Sequence, residues 1–148
     1  MNTLLAIPLI TIFLFLSSIH VYWGFGGKWG NGAVLPTKTD DEKVIMPGPI
    51  PTFIVAFGLL GFALVVLLNI IHIDFTEYFG LTFIHKYGLR VIAGIFLFRA
   101  IGEFHYVGFF KKHKHTKFAI NDTKYYSPLC LTIGILAVLL ELNKFGLF

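Results

Sequence analysis

Two side chains of opposite charge, Arg99 and Glu103, lie inside a long apolar stretch, residues 89–110. A charge at the centre of a membrane-spanning helix costs at least about 2.5–3.5 kcal/mol, so such residues usually have a partner or a function. Because they are four residues apart, the two side chains would stack on one helix face, which Tyr106 would continue. Two interpretations stay open: an ion pair that fixes helix packing, or a polar site for a head group, an anion or a proton.

Histidines suggest a second kind of chemistry. His20 and His105 lie near the ends of two apolar stretches that run toward the same side of the membrane. Two imidazoles from different helices can ligate one haem, although the sequence contains no haem-attachment motif. A metal site formed by His113, His115 and Asp122 is a further alternative, but histidines within a run of lysines more often only dilute charge.

Catalytic motifs are not recognisable in the sequence. It contains no HExxH, no GxSxG, no phosphate-binding loop and no readable nucleophile–base pair. The single cysteine, Cys130, excludes an intramolecular disulfide and any cysteine-based zinc or iron–sulfur site. Whether the protein is an enzyme therefore stays open, and the sequence names no cofactor.

The composition is that of a membrane protein. Hydrophobic residues make up 56% of the 148 residues and charged residues only 14%, against about 45–50% and about 25% in soluble domains. The net charge of +4 does not indicate nucleic-acid binding, because no recognition motif is present. The basic residues instead cluster beside an apolar segment, where lysines usually contact anionic lipids. The bilayer is thus the first expected partner.

Four apolar runs are long enough to cross a hydrocarbon core, which takes about 20 residues as a helix. Their apolar residues are continuous rather than alternating, which indicates helices and not a barrel. The sequence predicts a single all-α domain over residues 1–148, a four-transmembrane-helix bundle with short loops. The predicted helices cover residues 3–22, 52–73, 89–110 and 128–143. The second loop, residues 74–88, is rich in apolar residues and predicts a short interfacial helix.

Stripes of small residues follow one face of several predicted helices. Gly58 and Gly61 lie on such a stripe of the second helix, and Gly134 lies on one of the fourth. Small residues let helix backbones approach closely in lipid. Both stripes therefore predict contacts between helices.

The distribution of lysine predicts the orientation of the bundle. The first and third loops share one side and contain eight lysines, whereas the other side has only Lys86, Arg90 and Lys144. Basic loops usually stay in the cytoplasm, which predicts cytoplasmic large loops and both termini outside. Most of the unusual polar and aromatic residues then fall in the cytoplasmic half. The candidate ligand-binding residues there are His20, Trp23, Trp29, Arg99, Glu103, Tyr106, Asp122 and Tyr126.

The sequence resembles a family of small bacterial integral membrane proteins that is known only as a domain of unknown function. The resemblance covers nearly the whole chain. It rests on His20-x-Tyr22-Trp23, Gly26-Gly27-x-Trp29-Gly30, Arg99-Ala100-Ile101-Gly102-Glu103, Tyr106-Val107-Gly108-Phe109-Phe110-Lys111 and Phe118-Ala119-x-x-Asp122-x-x-Tyr125-Tyr126-Ser127-Pro128-Leu129-Cys130. It implies four transmembrane helices and a bacterial inner membrane, and it implies no activity.

These patterns favour a protein that binds a lipid-like or small amphipathic ligand, or that packs against another membrane protein or a second copy of itself. Arg99 would contact an anion or head group, Glu103 would hold Arg99, and the aromatic side chains would form the walls. The alternative is a membrane redox protein that binds haem or quinone through His20 and His105. A transporter or channel is disfavoured, because four helices with few central polar residues leave little room for a pathway.

Overall fold

A computed structural model describes residues 2–36, 47–71 and 79–144, and the secondary structure within these ranges is entirely helical. A π-helical turn, Asp122–Tyr126, joins the last two helices into one continuous element. The helices are α1 (Asn2–Gly24), α2 (Asn31–Val34), α3 (Pro49–Ile70), α4 (Phe79–Ile101), α5 (Lys117–Asn121) and α6 (Ser127–Asn143).

Four of these elements are long and apolar enough to cross a membrane: α1, α3, α4 and the continuous helix from Lys117 to Asn143. In each of the first three, only 22% of the most apolar window is buried inside the protein. Most of their apolar surface therefore faces outward, which is stable in lipid and not in water. The prediction of an all-α protein with four membrane-spanning helices is confirmed.

The bundle is built from two antiparallel helix pairs. In the first pair, Gly24 at the end of α1 lies against the ring of Phe53 near the start of α3. Ser17 of α1 also donates a hydrogen bond to the carbonyl oxygen of Ala56 in α3, at 2.8 Å. In the second pair, Gly134 of α6 lies against Leu97 of α4. As the stripe of small residues on the fourth helix predicts, this glycine allows two helices to approach closely.

An aromatic cluster joins the two pairs at the centre of the bundle. Phe13 of α1 lies 5.7 Å from Phe62 of α3 and 5.5 Å from Phe96 of α4, measured between ring centroids. The rings of Phe62 and Phe96 are 6.1 Å apart and nearly perpendicular. Tilted arrangements at these distances are the favourable geometry for aromatic pairs. The rest of the core is aliphatic, with Ile133 of α6 fully buried beside these rings.

The third membrane-spanning helix differs from its prediction, residues 89–110. α4 begins at Phe79, ten residues earlier, and ends at Ile101. Residues 79–88 form the first turns of this helix, so the predicted interfacial helix is not confirmed, and residues 74–78 lie outside the described part. The helix ends where Gly102 adopts a left-handed conformation and donates a backbone hydrogen bond to Phe98, a common helix termination. Glu103 therefore does not stack on Arg99 along a helix.

A backbone crossing between two glycines closes the loop that follows α4. Gly102 and Gly108 both have positive φ, +86° and +90°. A Cβ atom on Gly102 would overlap the carbonyl oxygen of Val107, and one on Gly108 would overlap that of Ile101. Only glycine combines this conformation with so close an approach. The loop, residues 102–116, thus folds back onto the end of α4.

We expect Gly108→Ala to destabilise the protein by at least about 1–2 kcal/mol. A left-handed conformation is unfavourable for alanine, and its Cβ would also overlap the backbone of Ile101. Gly94→Ala is the matched control, since a Cβ there meets nothing within 4 Å in the interior of α4. It should stabilise the helix by about 0.5–1 kcal/mol. Thermal unfolding in mild detergent measures the stability of both variants. Melting temperatures that shift in the same direction would contradict the close backbone contact at Gly108.

Candidate functional site

The carboxylate of Asp122 is fully buried and accepts four hydrogen bonds. Oδ1 accepts from Nη2 of Arg99 at 2.9 Å. Oδ2 accepts from Nζ of Lys111 at 2.9 Å, from the backbone N–H of Gly108 at 2.9 Å and from the hydroxyl of Ser127 at 3.1 Å. One side chain thus joins α4, the loop 102–116 and the start of α6.

Lys111 is the second buried charge, with 1% of its surface exposed. Its ammonium group donates to Asp122, to the carbonyl oxygen of Gly108 at 3.0 Å and to the hydroxyl of Thr123 at 2.6 Å. Three donors with three acceptors make burial of the charge tolerable. From sequence this residue is one of several loop lysines, and its neighbour Lys112 is indeed exposed. No spacing in the sequence distinguishes the buried lysine from the exposed ones.

The π-helical turn explains how Asp122 and Ser127 meet. Residues five apart on an α-helix point in different directions, whereas a π-helix brings them together through its i to i+5 hydrogen bonds. The backbone N–H of Ser127 bonds to the carbonyl oxygen of Asp122, and their side chains also bond to each other. The turn therefore directs the Asp122 carboxylate toward α4 and the loop.

Beside this cluster, a cavity of about 470 Å³ lies among the four membrane-spanning helices. It occupies the half of the bundle where α1 and α4 end and α3 and α6 begin. Its walls are mostly aliphatic and aromatic. The lining residues are Leu16, His20, Trp23, Val34, Val55, Gly58, Leu59, Phe62, Ile95, Phe96, Arg99, Tyr126, Leu129, Cys130 and Ile133.

Of the described residues that line the cavity, Arg99 is the one with a permanent charge. Its Nη2 binds Asp122, whereas its Nη1 is buried and has no hydrogen-bond partner among the described residues. A buried donor without an acceptor is costly, and an anion would satisfy it with a strong, charge-assisted bond. The guanidinium group is thus held in place beside the cavity, with one nitrogen that lacks a hydrogen-bond partner among the described residues.

His20 and Trp23 form a polar edge on the opposite wall. Nδ1 of His20 lies 2.8 Å from the carbonyl oxygen of Leu16. Since a carbonyl oxygen only accepts, Nδ1 donates this hydrogen bond. The imidazole meets the Trp23 ring edge-on, with 5.1 Å between centroids. His20 therefore has a fixed orientation in the cavity wall.

Residues 25–36, which we call the strap, cover the cavity at this end of the bundle. The indole N–H of Trp23 donates to the carbonyl oxygen of Trp29 at 2.8 Å. The hydroxyl of Tyr126 donates to the carbonyl oxygen of Ala33 at 3.1 Å. The strap also contributes to a neighbouring cavity of about 500 Å³, which Trp29 and Tyr126 help to line.

The candidate residues predicted from sequence divide into two groups. His20, Trp23, Arg99 and Tyr126 line the central cavity, Trp29 lines its neighbour, and Asp122 holds Arg99 from behind. Glu103 and Tyr106 instead lie in the loop 102–116, where the Glu103 carboxylate accepts the backbone N–H of Tyr106 at 3.1 Å. The carboxylate that holds Arg99 is therefore Asp122 and not Glu103, because the helix ends between Arg99 and Glu103.

His20 and His105, the two candidate haem ligands, do not line the same cavity. His105 is exposed in the loop 102–116, with its ring near the carbonyl oxygen of Glu103. It does not line the central cavity, whereas His20 does. Within the described residues, no group of three or more His, Cys, Asp or Glu side chains is placed to hold a metal ion. The metal site considered for His113, His115 and Asp122 thus has no support.

Gly58 and Gly61 of α3 are not at a contact between helices, although the sequence predicts one there. A Cβ added at Gly58 or Gly61 would meet nothing within 4 Å. The helix-contact interpretation is therefore wrong for both residues. Gly58 instead lines the central cavity, while Gly61 does not.

A family model described as "Protein of unknown function (DUF3995)" matches residues 13–137. The match covers most of the chain, so the chain belongs to this family. Membership agrees with the resemblance seen in the sequence. Comparisons with curated proteins and with solved structures find no match.

We expect Asp122→Asn to lower the free energy of unfolding by about 3–5 kcal/mol, because it leaves the fully buried charge of Lys111 without a counter-charge. Glu141→Gln is the control: its partners Arg90 and Lys144 have side chains 48% and 21% exposed, so the same change should cost less. Chemical unfolding in detergent compares the two. Equal losses of unfolding free energy would show that Asp122 stabilises the fold no more than Glu141 does.

Proposed function

We propose that this member of the DUF3995 family is a membrane-embedded binding protein whose central cavity takes an amphipathic ligand with one anionic group. The observation that carries the proposal is the guanidinium group of Arg99. It is the one permanently charged group among the described lining residues, and its buried Nη1 has no hydrogen-bond partner among the described residues.

The charge balance around Arg99 supports an anionic ligand. Among the described residues, the cluster contains two cations, Arg99 and Lys111, but a single carboxylate, Asp122. One positive charge is thus left over, and Arg99, whose side chain is 33% exposed, is the cation that a further anion could reach. A carboxylate or phosphate at Nη1 would neutralise the cluster and add a hydrogen bond.

The mostly apolar lining of the cavity favours a ligand with a hydrocarbon portion. Small-molecule sites typically enclose about 300–1,000 Å³ and are mostly apolar with few polar groups. The central cavity, at about 470 Å³, lies within this range, and its inner end is formed by Leu59, Phe62, Phe96 and Ile133. A single acyl or prenyl chain would contact these side chains, while its head group would lie between Arg99 and the His20–Trp23 edge.

We further propose that the protein lies in a bacterial inner membrane with the cavity end of the bundle in the cytoplasmic half. Exposed lysines support this orientation, since Lys112, Lys114, Lys117 and Lys124 lie at that end. Both termini would then be outside. A C-terminal alkaline phosphatase fusion should be active and a C-terminal fluorescent protein dark; the reverse pattern would contradict this orientation.

Arg99→Gln should weaken binding of palmitic acid by about ten- to a hundredfold, the value of one charge-assisted hydrogen bond. Hexadecanol, which has the same chain and no anionic group, should bind the wild-type protein more weakly than palmitic acid. Arg90→Gln is the matched control, because Arg90 lies on the same helix, is also paired with a carboxylate and does not line the central cavity. Native mass spectrometry from mild detergent measures all three.

Equal binding of the acid and the alcohol, unaffected by Arg99→Gln, would contradict the proposal. The same spectra distinguish the alternatives, because they also report tightly bound proteins and cofactors. A membrane protein or second copy lost with Arg99→Gln would favour a partner-binding role. A retained haem, identified by its visible absorbance, or a retained quinone, identified by its mass, would favour the redox alternative.

A further inference from the structure

The wall of the central cavity is incomplete between α3 and α4. These helices approach each other at Gly88 of α4, where an added Cβ would lie 2.5 Å from Val65 of α3, and at the Phe62–Phe96 ring pair. Toward the cavity end, residues of both helices line the cavity instead. The two helices thus face each other across open space in this half of the bundle.

The side chains at the edges of this space are about half exposed. Val55 of α3 is 46% exposed and Ile95 of α4 is 47% exposed, yet both line the cavity. Gly58, one turn from Val55, is also exposed and lines the cavity. Residues that belong to both an interior wall and the outer surface mark an opening. Because α3 and α4 are membrane-spanning, this opening faces lipid.

We propose that the ligand enters the cavity sideways from the bilayer through this opening, and that Gly58 sets its width. The inference rests on the proposed function and specifies its ligand: a membrane-resident lipid with a single slender chain. The edges at Val55, Gly58 and Ile95 are apolar, so they suit a hydrocarbon chain. Arg99 lines the same cavity and would receive the anionic group.

Gly58 is the residue that a test can change without disturbing packing. A Cβ there meets nothing within 4 Å, so a side chain can leave the backbone at this position without meeting a neighbouring helix. Gly61 lies one turn further along α3, has the same free surroundings and does not line the cavity. Both substitutions remove a helical glycine, so their effects on helix stability should match.

The experiment compares Gly58→Phe with Gly61→Phe in lipid nanodiscs that contain photoreactive palmitic acid. The rate at which the protein becomes loaded is followed by light-induced cross-linking at increasing times. We expect Gly58→Phe to slow loading by at least about tenfold, because it narrows the entrance, and Gly61→Phe to leave the rate unchanged. Melting temperatures of the two variants should agree, which excludes a folding defect.

Unchanged loading of Gly58→Phe, with the wild-type protein loading normally, would overturn the lateral entrance and leave the proposed function intact. A lowered affinity with an unchanged loading rate would also overturn it, because the side chain would then only fill the cavity. If the wild-type protein never loads, the proposed function itself fails. Equal slowing by both variants would contradict the specific role of Gly58.

Discussion

The buried carboxylate of Asp122 determines the geometry of the half-bundle that contains the cavity. It accepts hydrogen bonds from two cationic side chains, a backbone N–H and a hydroxyl, which belong to α4, the loop 102–116 and the start of α6. A charge buried so deeply is stable only when its partners are all present. The loop after α4, the end of α4 and the start of α6 must therefore assemble together, and the orientation of Arg99 follows from that assembly.

The packing of the helix pairs explains why there is a cavity beside the Asp122 cluster. α1 packs along α3, and α4 packs along α6, while the two pairs meet through the bulky rings of Phe13, Phe62 and Phe96. These rings fill the middle of the bundle and hold the pairs apart. Beyond them, toward the Asp122 cluster, the side chains no longer fill the space. Arg99 is fixed at the rim of that space by Asp122, so an apolar cavity and a positioned cation occur side by side.

Much of the fold could be predicted from sequence, because continuous apolar runs of about 20 residues have few alternatives to membrane-spanning helices. The concentration of candidate residues in one half of the bundle was also predictable, since alternating helix directions bring their ends together. The end of α4 could not be predicted from the sequence. Apolar residues continue past Ile101, and the stop depends on Gly102 crossing Gly108, a contact between backbones. The partner of Arg99 was missed for the same reason, because Asp122 lies 23 residues away and reaches it only through that loop and the π-helical turn.

We propose that an anionic amphiphile occupies the cavity with its charged group at Arg99. The most direct test maps the attachment site of a fatty acid with a photoreactive group at the end of its chain. We expect cross-links to the inner wall, at Leu59, Phe62 or Ile133, which are lost with Arg99→Gln. Cross-links confined to outward-facing residues such as Ile54 and Phe57, unchanged by that substitution, would contradict it.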